Sequence, residues 1–250
     1  MANPYQAPID ADLAQNLSAR TWPLNTREAN AIQRGLDAAC IGYRLLAGSL
    51  LVAQLPGLFF PNAAPRVSIL SHAIAGLGLI LVMVGLVRWG TVRGPQRMLS
   101  LIALAIGVFS ATLFTPYVIA IDRGQPVTGL FHLLGATALA MLLTSQALTA
   151  IVLRAWAWRK RLGKCVHACD FAVLCFATCA VANTTIAMTR TSATGDALFV
   201  IRAVAGFSAI LLLTACLHIT RRHWRDSEEA TTTQQHASLP NKPISDPQEH

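Results

Sequence analysis

Charge is what this chain has least of. Only 13% of its residues are charged, against roughly 25% in a typical soluble domain, which excludes an ordinary water-facing surface. Acidic residues are especially few, 12 Asp and Glu among 250 residues. None lies deep inside an apolar run, which argues against a relay of buried carboxylates across a membrane. There is no Gly-rich phosphate loop, no His-Glu-x-x-His and no Gly-x-Ser-x-Gly. Those absences remove the common signatures of nucleotide binding, zinc proteolysis and serine hydrolysis. The polar segments are also too short to hold a separate catalytic domain.

What is present is apolar length. Hydrophobic residues make up 54% of the chain and the mean hydropathy is +0.48. A helix crossing a bilayer needs about 20 mostly apolar residues. Six runs qualify: Cys40–Phe60, Val67–Val87, Met98–Ile121, Val127–Leu153, Cys165–Met188 and Ala197–Ile219. Pro61 and Pro65, Gly94 and Pro95, and Gly124 and Pro126 punctuate three of the connections. The expected fold is therefore all-α, a polytopic membrane protein of six transmembrane helices. Residues 1–39 form a polar amino-terminal segment and 40–219 the transmembrane domain. Residues 220–250 form a tail that begins basic and, from Asp226, is rich in Thr, Gln, Ser and Pro without apolar period, the composition of a disordered segment.

The basic residues give the expected orientation. Of the 20 Lys and Arg, those before the first run, between the second and third, between the fourth and fifth, and after the sixth belong to one side. The opposite side holds only Arg66, Arg123 and Arg190. Cations are retained on the cytoplasmic side during insertion, so both termini are expected in the cytoplasm. The net charge of +8 then reflects topology and partnership with anionic lipids at the cytoplasmic face, and nucleic acid is not expected as a partner. Trp89, Trp156, Trp158 and Trp224 all follow inward-running spans, where an amphipathic indole suits the membrane interface. The amino-terminal segment lacks the build of a cleavable signal peptide, so the first span is expected to serve as an uncleaved insertion signal.

The opening Asn3-Pro4-Tyr5-Gln6-Ala7-Pro8 resembles a short segment that begins many uncharacterised polytopic membrane proteins of one bacterial lineage. The resemblance covers six residues; it implies a bacterial inner membrane and carries no chemistry.

All six cysteines lie in or at the edge of spans, four of them (Cys165, Cys169, Cys175, Cys179) in the fifth. At 3.6 residues per turn these four fall within an arc of about 120°. One helix face cannot wrap a tetrahedral ion, so no metal site is expected. Cysteine as a small, weakly polar residue at a helix–helix contact is the expected role.

Polar residues at membrane depth are the remaining signal, because each ionisable group there costs roughly 2.5–3.5 kcal/mol at mid-span on insertion scales. Arg44 and Asp170 lie at similar depth near the inner ends of the first and fifth spans, and an Arg44–Asp170 ion pair is expected. His72, His132 and Arg202 each lie five residues into an inward-running span, about 7–8 Å below the outer edge at the helical rise. Asn183 shares that outer level. The stretch His72-Ala73-Ile74-Ala75-Gly76-Leu77 aligns with Arg202-Ala203-Val204-Ala205-Gly206-Phe207, consistent with three related hairpins.

Three functions compete for this outer level. The first is a structural or interaction protein, with the polar groups bonding helix to helix and homo-oligomers admitted. The second is a small-solute transporter or sensor, with His72, His132, Arg202 and Asn183 lining an outer cavity. The third is a redox protein in which His72 and His132 hold a b-type haem, with Gly76, Gly78 and Gly135 letting the flat macrocycle approach the backbone. In that respect the chain looks like the six-helix cytochrome b561 architecture, although the family's second histidine pair has no counterpart in spans three and five. The expectation is the first function, no cofactor and no catalytic residues.

Overall fold

A computed structural model describes residues 24–59, 64–123, 129–189 and 192–237. The described residues form six helices: α1 Thr26–Phe59, α2 Ala64–Gly90, α3 Pro95–Asp122, α4 Leu130–Arg159, α5 Gly163–Thr189 and α6 Ser192–Ala237. Each contains a stretch long and apolar enough to cross a membrane. The expected all-α fold, with six helices long and apolar enough to span a membrane, is therefore what the chain adopts. The opening Asn3–Pro8 segment lies outside the described residues.

Two helices run further than their apolar runs. α1 begins at Thr26, well before Cys40, because Asn25 and Glu28 form a reciprocal cap. The Glu28 N–H donates to Asn25 Oδ1 at 2.8 Å, and the Asn25 N–H donates to Glu28 Oε2 at 3.3 Å. Such a box satisfies backbone donors that a helix start otherwise leaves open. Beyond it, Ile32, Leu36 and Ala39 are fully buried, so part of the segment expected to be merely polar is bundle core. α6 continues past its apolar run to Ala237. Extending a formed helix avoids the unfavourable nucleation step, and Arg221 and Arg225 tie this stretch to Asp37 of α1.

The helices pack in chain order, each against its neighbours, and α1 closes the ring against α6. The α1–α2 contact is the most intimate. A Cβ on Gly42 would lie 2.6 Å from the Gly78 carbonyl oxygen, and one on Gly85 would lie 2.9 Å from the Gly35 oxygen. Both glycine pairs recur at heptad spacing, so two antiparallel helices meet backbone to backbone twice along one seam. Gly94, at φ 129°, makes the turn into α3, a conformation that disfavours side chains.

The largest wholly buried side chains, among them Trp89, Trp156, Tyr43, Phe176, Leu153 and Leu217, run from mid-bundle to the end that carries the basic segments, the basic end. The tryptophans depart from expectation. Trp89, Trp156 and Trp224 are core residues, and of the four only Trp158 is open, at 59% exposure. The Trp89 indole donates to the Ile32 carbonyl at 3.3 Å, and Trp156 meets Trp224 edge to face at 6.4 Å. Meanwhile Ile80, Phe109, Leu174, Val181 and Val204 are exposed, while Ser100, Ser145, Thr149 and Gln146 are buried. Apolar outside and polar inside is the arrangement a lipid solvent favours.

Candidate functional site

The far end of the bundle, opposite the basic end, holds the polar level picked out in the sequence. Asn183 sits on α5 and is buried. Its amide Nδ2 donates to the Ala136 carbonyl of α4 at 2.9 Å, and its Oδ1 accepts from Arg202 Nη1 of α6 at 3.1 Å. One amide thus bridges three helices. It suits this position because it offers donors on one side and an acceptor on the other. The Cys179 thiol donates to the Arg202 carbonyl at 3.5 Å, a second α5–α6 link in the same turn.

His132 lies one turn before Ala136, half-buried. Its Nδ1 is 3.3 Å from the hydroxyl of Tyr117 on α3, and the two rings stack with centroids 6.3 Å apart. The ring of Tyr117 lies against Gly135, where an added Cβ would approach it to 2.4 Å. Tyr117 was not among the residues the sequence singled out. Its signal is slight: an aromatic beside Pro116, near the end of a span.

His72 belongs to a different helix. It is exposed on α2, which packs on α1 and α3. Its neighbour Ser71 is the residue that faces inward, donating to the Ser49 carbonyl of α1 at 3.0 Å. The level expected to unite His72, His132, Arg202 and Asn183 is thus divided. Asn183 and Arg202 are joined, His132 is bonded to Tyr117, and His72 lies on another part of the ring. His132 Nδ1 lies beside the Tyr117 hydroxyl, and His72 sits on a helix whose packing partners are α1 and α3. The flat ring resting on Gly135 is the protein's own tyrosine, while Gly78 is packed against α1. The aligned hairpin segments also differ in surroundings, since Gly76 has nothing within 4 Å and Gly206 faces Cys179.

The inner ion pair is corrected. Asp170 bonds Arg154 of α4 at 2.6 Å, and Arg44 reaches His218 Nδ1 of α6 at 3.1 Å. The ring order sets α5 beside α4 and α1 beside α6. Each group therefore bonds its ring neighbour. Because Arg is only a donor, the Arg44 contact requires His218 Nδ1 to be unprotonated. Arg154, read as a loop cation, and His218, not singled out, are the partners that sequence reasoning missed.

Two further polar features lie deeper. Tyr43 of α1 donates to Gln146 Oε1 of α4 at 2.5 Å, with both side chains buried, linking helices that are not adjacent in the ring. The six cysteines are all buried and unbridged. Cys216 of α6 donates to the Cys165 carbonyl of α5 at 3.7 Å. With Cys179, this puts thiols at the α5–α6 contact as small weak donors. No protein family, curated protein or solved structure matches the chain.

Proposed function

We propose that this chain is a structural or interaction protein of the bilayer, a scaffold whose intramembrane polar groups hold helices to one another. The observation that carries this reading is the Arg202–Asn183–Ala136 bridge across α6, α5 and α4. A transport site presents its fixed charge and hydrogen-bonding groups to a solute; here the amide is engaged on both faces by neighbouring helices. The same pattern recurs at His132–Tyr117, Arg44–His218 and Tyr43–Gln146. A bacterial inner membrane, with both termini cytoplasmic, is the location that the basic segments and the opening six residues favour.

A single cysteine at Ala187 or Ala205, in a variant with the six native cysteines replaced by serine or alanine, tests this directly. Both positions lie within about one turn of the bridge. The expected result is no labelling by a membrane-impermeant maleimide from either side. Labelling at both positions from one side would reveal a water-filled cavity around Arg202 and replace the scaffold with the transporter or sensor reading. That second reading draws on one observation, that Arg202 and His132 are only half-buried.

A further inference from the structure

At the basic end, the first turns of α1 and the end of α2 enclose a cleft of about 700 Å³ lined by Arg27, Arg34, Arg88 and Arg93, with Glu28 and Asn30. Its walls are held by the main chain. Thr91 Oγ1 donates to the Arg88 carbonyl at 2.7 Å, and the Arg93 N–H donates to Glu28 Oε1 at 3.3 Å. Glu28 is the only carboxylate in the lining, and each of its oxygens already accepts a backbone N–H, from Asn25 and from Arg93. The ion pairs of Arg154, Arg221 and Arg225 lie outside the cleft lining. Four exposed arginines line one recess while its carboxylate serves the fold. Beneath them Trp89 is buried, held by the Ile32 carbonyl, so the cleft sits where the apolar bundle ends.

We propose that this cleft binds a phosphate-bearing anion. Clustered guanidiniums match phosphate oxygens bidentately, and a recess at the margin of low-dielectric protein strengthens each such bond. A single carboxylate engaged by two backbone donors leaves the recess with a positive balance that an anion would neutralise. The same chemistry admits two sources, the headgroup of an anionic phospholipid in the adjacent leaflet or a soluble phosphate compound. This inference is independent of the scaffold reading, since it concerns the opposite end of the bundle.

The test uses the full chain in neutral detergent, with Arg34→Gln/Arg88→Gln as the cleft variant and Arg222→Gln as a control at the same end but outside the cleft. Phosphatidylglycerol binding is read by native mass spectrometry against phosphatidylcholine, and inorganic pyrophosphate binding by calorimetry at low salt. We expect at least one probe to bind the unaltered chain and to weaken about tenfold or more in the cleft variant, with the control unchanged. Phosphatidylglycerol adducts alone identify a lipid headgroup; saturable pyrophosphate binding identifies a soluble source. Failure of both probes to bind, equal weakening in the control, or unchanged binding in the cleft variant overturns the proposal. Should the double variant not fold, as judged by its melting curve, Arg27→Gln on the first turn of α1 carries the same comparison.

Discussion

Arg202 places a guanidinium within a helix apolar enough to cross a membrane, where insertion scales put the cost at roughly 2.5–3.5 kcal/mol for a central position. Its bond to Asn183, itself bonded to Ala136, offsets part of that cost. Asn183→Leu is expected to lower stability in detergent by about 1–3 kcal/mol, because it removes an acceptor from a charged donor. Adding Arg202→Met should recover part of the loss, measured as a double-mutant cycle in thermal unfolding. Tyr43→Phe leaves the buried Gln146 oxygen without its donor and is expected to cost about 1–3 kcal/mol in the same assay. No loss in Tyr43→Phe would mean that the bond is not formed in the folded bundle. At this scale the sequence ordered residues along each helix and left their partners open. Arg44 and Asp170 could be ranked along their helices, but Arg154 and His218 became partners only through the way the helices are arranged around the ring.

Helices are the level at which the sequence was most legible. Apolar length alone located all six, because a helix that meets lipid must satisfy its backbone internally along the whole crossing. Helix ends were less legible, since apolar length does not register a cap such as Asn25–Glu28 or the salt links of Arg221 and Arg225 to Asp37. Asn25→Ala is expected to destabilise the start of α1 by about 1 kcal/mol, visible as faster amide exchange in the first turns of α1 than in its core. The α1–α2 seam permits a sharper contrast. Gly42→Val would drive a side chain into the Gly78 backbone and should cost about 1–3 kcal/mol or more by overpacking. Gly76→Ala meets nothing within 4 Å and should be neutral or stabilising by up to about 1 kcal/mol through helix propensity. Equal melting temperatures for the two variants would show that the seam is looser than described.

For the whole molecule, the one-sided distribution of Lys and Arg makes a prediction about orientation. Reporter fusions at the carboxyl terminus and after Asp122 should report opposite sides of the membrane, with the carboxyl terminus cytoplasmic; an external carboxyl terminus would sink the orientation. What the sequence determined by itself is the elements: low charge and six apolar runs give six helices long and apolar enough to cross a bilayer, since this property sums over each segment independently. What only the tertiary structure decided is which side chains meet. Residues at one level lie at many angles around a ring, so Arg44 and Asp170 share a level while the ring order gives them different partners, His218 and Arg154. The arginine cleft arises in the same way, from residues near positions 30 and 90 that lie far apart in the chain and are brought together by two glycine contacts along one helix seam.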